Sequence, residues 1–308
     1  MEKQIWAALC FFIWILLTAK FLKADEGKII GGKVVQAGEF PYQLCMWGDV
    51  RCGGALVTLR QFMTAAHCLV KKYKDSTKHT DLTTHFMVAG VVDCTKTDDP
   101  FYQKRNIKDY KMHKEYRKKK DMTSYHDFAV GILEKPFTES ERVKVGVLPS
   151  TDPAKFRQLW LDFLGSGKTC SVMGFGTNTE PLVKDYTNIL KVSMMRPKND
   201  KYCKGTLVYD SDTMLDGEIC CVPVDASAES MGVGDAGSAI ICDGLLYGVN
   251  TGGYFQPGYN LQLFTLAYPY LDLFEKESSP GFGYVFRSYP MAVISGIFIV
   301  LVVHTLQR

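Results

Sequence analysis

The chain has 308 residues, of which 46% are hydrophobic and 22% charged, with a formal net charge of +3. This is an ordinary globular composition with enough apolar residues for a sizeable core in one domain or two joined lobes. Near neutrality excludes a global electrostatic case for nucleic acid, so a charged partner has to be read from local clusters.

The chain begins with an apolar run, Ile5 to Ala19, broken only by Thr18 and preceded by Lys3. That length and flank fit a secretory signal better than a spanning helix. Residues 1–24 are therefore expected to be a signal peptide, cut after Ala24 or, as second choice, after Ala19. Ten cysteines are present. Cys10 leaves with the signal, and in an oxidising compartment most of the rest should pair, with at least one left over. No Asn-x-Ser/Thr sequon occurs, so N-glycosylation is not expected.

Downstream, Asp25-Glu-Gly-Lys28 precedes Ile29-Ile-Gly-Gly32, followed by Arg51-Cys-Gly-Gly-Ala-Leu-Val57 and Thr64-Ala-Ala-His-Cys68. Further along lie Tyr125-His-Asp-Phe-Ala-Val-Gly-Ile-Leu133, Cys170-Ser-Val-Met-Gly-Phe-Gly176 and Gly232-Val-Gly-Asp-Ala-Gly-Ser-Ala-Ile240. Together these blocks resemble the chymotrypsin- and trypsin-like serine protease family. The last is similar to its nucleophile loop, Gly-Asp-Ser-Gly-Gly-Pro. The resemblance covers residues 29–276. It implies an all-β fold of two antiparallel six-stranded β-barrels with a cleft between them and a C-terminal helix over Leu266 to Lys276. Evenly spaced strand patterns agree independently, and Asp243-Gly244 between apolar runs is a hairpin signal.

The resemblance assigns His67 to the general-base position and Asp127 to the carboxylate that orients it. The nucleophile position holds Ala236, whose methyl has no lone pair and no proton to lose. Backbone N–H groups of Gly234 and Ala236 correspond to the oxyanion hole. Ser238 is the substitute nucleophile that an active enzyme would require. Cleavage after Lys28 would create an ammonium on Ile29 that pairs with Asp235, because an unpaired buried charge is costly. Ser230 occupies the base of the specificity pocket, where trypsin-like enzymes carry Asp. The pocket cysteine expected between Ser230 and Gly234 is replaced by Gly232, and its partner near Gly253 is also absent. The implied disulfides are Cys52–Cys68, Cys170–Cys242 and Cys203–Cys220, with Cys221 competing for the last. Cys45 and Cys94 have no family partners, and pairing with one another is one arrangement that sequence does not fix. The resemblance implies no metal and no cofactor.

Three regions lie outside those motifs. Leu69 to Thr84 is longer and more polar than usual and reads as an exposed insertion. Nine basic residues stand between Lys104 and Lys120. Lys108, Lys111, Lys114, Arg117, Lys118, Lys119 and Lys120 form a candidate polyanion exosite, against the plainer reading of a solvated face. Gly165-Ser-Gly-Lys-Thr169 is not a phosphate loop, since Asp162 stands where the first glycine is needed. Residues 277–290 read as a linker and 291–308 as a hydrophobic tail, either a glycolipid-anchor signal or a short transmembrane segment. The expected protein is an extracellular, non-catalytic homologue, either secreted or anchored at the cell surface through that tail. It binds protein partners such as proteases or protease inhibitors and no nucleic acid. The alternatives are an active trypsin-like endopeptidase and a membrane-anchored polyanion binder.

Overall fold

The structure, a computed structural model, describes residues 32–73, 76–79, 82–118, 124–177, 184, 186–206, 214–225, 231–256 and 259–275. The signal, Lys28, Ile29, Lys119, Lys120, Ser230, the linker and the tail lie outside the described residues. No described helix is long and apolar enough to cross a membrane.

The first barrel is built from Gln43–Trp47 (β1), Cys52–Leu56 (β2), Gln61–Thr64 (β3), Phe86–Ala89 (β4), Gln103–Met112 (β5) and Ala129–Leu133 (β6). Its strands close in the order β6-β3-β2-β1-β4-β5. Every residue of β2, β3 and β6 is buried, as expected of short strands that face a filled barrel on one side and a neighbouring element on the other.

The second barrel comprises Cys170–Gly174 (β7), Lys191–Pro197 (β8), Glu218–Pro223 (β9), Ala239–Cys242 (β10), Leu245–Gln256 (β11) and Tyr259–Leu266 (β12). The order is β8-β7-β10-β11-β12-β9, closed by pairing of β8 with β9. β8 alternates between buried and exposed positions, the period-two pattern of a strand with one wet face. The β10–β11 hairpin turns at Asp243-Gly244, both with positive φ, the conformation that an Asp-Gly pair supplies. The short strand Lys33–Val34 adds to β8.

Turn residues dominate the sequence of the connection between barrels, and the structure adds a helix there, Pro153–Gly165 (α1). Asp152 Oδ1 caps it by accepting the N–H of Lys155 at 2.8 Å, and Pro153 opens it. Phe156, Trp160 and Phe163, spaced along one helical face, are buried around Tyr247 of β11. The cap and this spacing are the local signals that make the segment helical. The closing helix is shorter than expected. It is a 3-10 helix over Tyr268–Leu273, broken at Tyr270, while Leu266 belongs to β12. The segment read as an insertion contains a hairpin of Val70–Tyr73 with Ser76–His79.

Cys52–Cys68, Cys170–Cys242 and Cys203–Cys220 are bonded. Cys221 is a buried thiol. Cys45 and Cys94 are also buried, with their Sγ atoms 2.6 Å apart. The Arg51 guanidinium stacks 3.6 Å over the Trp47 ring and reaches Cys94 Sγ at 3.4 Å.

Candidate functional site

Each candidate side chain leaves the end of a barrel strand. β3 runs into a 3-10 turn, Ala66–Cys68, that carries His67, and the Cys52–Cys68 bond ties this turn to β2. Asp127 stands two residues before β6 and is 2% exposed. Its neighbour Phe128 stacks on Tyr270 at 4.9 Å, so the closing helix buttresses this strand entry.

His67 and Asp127 make two contacts. The His67 backbone N–H donates to Asp127 Oδ1 at 2.9 Å, and the ring Nδ1 lies 2.7 Å from Oδ2. Both carboxylate oxygens are thereby used, and the ring keeps 30% of its side-chain surface open. Burial pulls the imidazole toward its neutral form. The charge and hydrogen bond of Asp127 outweigh that, against opposition from Lys118, and hold His67 above its ordinary range.

The loop before β10 carries Ala236. Asp235 is fully buried, and its carboxylate accepts the N–H of Gly176 at 2.8 Å and of Gly232 at 2.9 Å. Two backbone donors do not offset the loss of water, and burial pushes the carboxyl up to about 6. The close approach requires a glycine opposite, because a Cβ on Gly174 would lie 1.9 Å from Asp235 Oδ1. Gly237 holds φ +80°, where a Cβ would collide with Thr64 and Gly53. Among the described residues no acceptor takes the N–H of Gly234 or of Ala236.

Ser238 is fully buried. Its hydroxyl contacts Gln43 Nε2 at 3.2 Å, and the Ala239 N–H donates to Gln43 Oε1 at 3.3 Å. With the 2.7 Å bond from the Gly53 N–H to the Ala236 carbonyl, these contacts join the barrels beneath the cleft. The role of Gln43 is invisible in the sequence, because an amide within an apolar strand carries no motif. The same holds for Asn250. It is 2% exposed, and its N–H donates to Ser238 O while its carbonyl accepts from Gly237. Gly253 lies in β11 opposite Gln262, beyond a register shift at Asn250/Gly252. Of the basic cluster, Lys108, Lys111, Lys114, Arg117 and Lys118 are exposed. Lys104 sits 3.7 Å over Phe86 and Arg117 4.3 Å over Tyr125.

The sequence signature of the family described as Trypsin matches residues 29–273. Submandibular glandular kallikrein-9 of Rattus norvegicus is 24% identical over 257 residues, covering 81% of this chain and 88% of the relative. Trypsin delta of Drosophila erecta is 28% identical over 235 residues, covering 74% and 79%. Among solved structures, mouse-brain neuropsin, a serine protease, superposes with a TM-score of 0.59 at 22% identity, covering 78% of this chain and 95% of that one. Human heparin binding protein gives the same TM-score at 18% identity, covering 79% and 93%. The family match takes in both barrels and every strand end that carries the site, and the chain belongs to the trypsin family.

Proposed function

We propose that this protein is an extracellular serine protease homologue without peptidase activity, acting as a protein-binding regulator or cofactor. The observation that carries this reading is Ala236 between Asp235 and Gly237. A methyl group cannot attack a carbonyl. Ser238 offers no replacement, since its hydroxyl is fully buried and held at Gln43. The retained His67–Asp127 pair has a structural rationale, because removing either partner leaves the other buried group unsatisfied. The N–H groups of Gly234 and Ala236 remain able to hold a peptide carbonyl, which supports binding without cleavage. Protein partners such as proteases or their inhibitors suit such a cleft. Incubation with a fluorophosphonate probe and a mixed peptide library is expected to give neither labelling nor turnover. Covalent labelling on Ser238 would establish an active endopeptidase instead.

The same reading includes a binding switch. Cleavage after Lys28 would release the Ile29 ammonium to pair with Asp235, whose buried carboxylate has only two backbone donors among the described residues. Lys28→Gln protein is expected to bind partners more weakly than cleaved wild type. Secretion through residues 1–24 and attachment through residues 291–308 complete the reading, and release from cells by a phosphatidylinositol-specific phospholipase distinguishes a lipid anchor from a spanning helix.

A second reading, a surface binder of sulfated polyanions, draws on the exposed cations Lys108, Lys111, Lys114, Arg117 and Lys118. Retention on heparin that exceeds a charge-matched control and falls with salt would support it.

A further inference from the structure

We propose that His113, Glu115 and His126 form a zinc site at the base of the hairpin that leads into Asp127. The three residues bring ligand atoms within 4.8 Å of one another. His113 follows the end of β5, in a turn closed by the Tyr116 N–H donating to the His113 carbonyl at 3.0 Å. Buried Tyr116 roots that turn in the first barrel core. The chain then pairs Arg117–Lys118 with Ser124–Tyr125 and returns to His126. One imidazole and the carboxylate therefore enter from one arm, and the second imidazole from the other.

The three ligand atoms are gathered near the spacing that a metal ion needs. Tetrahedral zinc with bonds of about 2.0–2.1 Å spaces its ligand atoms about 3.4 Å apart. His126 Nε2 and Glu115 Oε2 are 3.6 Å apart. The two rings are stacked with centroids 3.9 Å apart and planes inclined by 24°, so the rings must turn away from one another before a nitrogen of each can face a shared ion. The His126 Nδ1 lies 3.2 Å from the hydroxyl of Tyr270. A partner at Nδ1 turns the opposite nitrogen of His126 toward Glu115, the outer-shell arrangement that orients a ligating histidine. His113 Nδ1 accepts the Glu115 N–H at 3.3 Å, a contact given up when zinc binding at Nε2 moves the ring proton to Nδ1.

A second observation concerns the backbone. His126 has φ +53°, a left-handed conformation that costs a non-glycine residue energy and recurs where a side chain must be aimed. Its carbonyl accepts the Phe128 N–H at 2.8 Å, so the strained turn is fixed on its C-terminal side. Two nitrogens and one carboxylate oxygen suit zinc rather than calcium or magnesium, which take oxygen ligands. Three protein ligands leave a fourth position for water or for a donor from a bound partner. Glu115 keeps 58% of its side-chain surface exposed, which gives the ion a path in.

The test is a zinc titration of the full chain at pH 7.4 against a chromogenic indicator, with excess magnesium and calcium present. One equivalent of zinc is expected to bind and to raise Tm. Glu115→Gln, at an exposed side chain, and His113→Ala, at a half-buried one, should each weaken binding at least tenfold. Tyr270→Phe should weaken it roughly tenfold or more by freeing the His126 ring, and Lys114→Ala should leave it unchanged. No saturable binding at one equivalent, or binding indifferent to both Glu115→Gln and His113→Ala, would overturn the site. The fold does not depend on the Glu115 side chain, so that variant decides the matter even if a histidine variant is poorly stable.

Discussion

The ring Nδ1 of His67 lies 2.7 Å from Asp127 Oδ2, the separation of a charge-assisted hydrogen bond, in a chain whose Ala236 has no proton to give up. On the proposed reading, His67 is the base, Asp127 its orienting carboxylate, and the N–H groups of Gly234 and Ala236 stand where no nucleophile follows. Ala236→Ser is expected to give a protein that a fluorophosphonate labels at that serine, where the parent is expected to stay unlabelled. Asp127→Asn in the same background should reduce labelling by several orders of magnitude, because the imidazole then takes the wrong tautomer. If Ala236→Ser stays unlabelled while its thermal melt is unchanged, the base is not aligned with this position.

Asp235 makes stability depend on pH in a direction opposite to most carboxylates. Its folded value of about 6 lies above the ordinary 3.8, so between those values the folded state binds the extra proton. Stability therefore falls as pH rises through this window, by about 3 kcal/mol at most for this group. Urea unfolding of uncleaved wild type and of Asp235→Asn at pH 4 and pH 7 measures the difference. The variant should lose the downward slope whatever its absolute stability. Protein cut after Lys28 should lose it too, if the Ile29 ammonium pairs with Asp235.

Cys45 and Cys94 are expected to form a fourth disulfide in the mature protein. The hydrogen bond from Cys45 is the main influence that lowers the Cys94 thiol below its ordinary range, with Arg51 helping and burial opposing. A thiolate is the form that attacks a disulfide of an oxidising partner. With 49 residues of separation, the link stabilises by about 4 kcal/mol in the chain-entropy model. Alkylation of denatured, unreduced protein followed by mass spectrometry should modify Cys221 and spare Cys45 and Cys94. Equal modification of all three would show that the pair stays reduced.

Gln43 and Ser238 should be unequal partners under mutation. Ser238→Ala removes one long hydrogen bond and is expected to cost about 1 kcal/mol. Gln43→Leu strands both the Ser238 hydroxyl and the Ala239 N–H at the barrel junction, at about 1–3 kcal/mol for each buried group left unsatisfied. Chemical denaturation of the two variants checks the order. A Ser238→Ala variant less stable than Gln43→Leu would contradict it.

The barrel strands are legible in the sequence through their even spacing and turn signals, and the positions of His67, Asp127 and Ala236 through the resemblance of the blocks around them to the family. The cysteine–glycine–glycine and alanine–alanine–histidine blocks keep fixed spacing, and Asp243-Gly244 dictates its own turn. Helix α1 is equally local in its cap and apolar period, yet the turn residues from Leu148 to Pro153 mask it by marking a break where the helix begins. Gln43, Asn250 and the His113–His126 pairing are not legible. Gln43 acts through a partner 195 residues away that the packing of the two barrels supplies, and the other two act across hairpins whose register the sequence does not display. The unusual charge state of Asp235 depends on burial that sequence does not display.

The contacts beneath the cleft bear on the timing of recognition. The Gly53–Ala236 bond, the Gln43 amide at Ser238 and Ala239, and the Asn250 exchange with Gly237 and Ser238 fix the cleft floor from both barrels. In the proposed reading the cut after Lys28 would reorder the loops around this floor and leave the floor as it stands, so a partner would spend little energy ordering that part of its contact. Association should then proceed at the rate of an ordinary rigid encounter, and differences between partners should lie in how long each complex lasts.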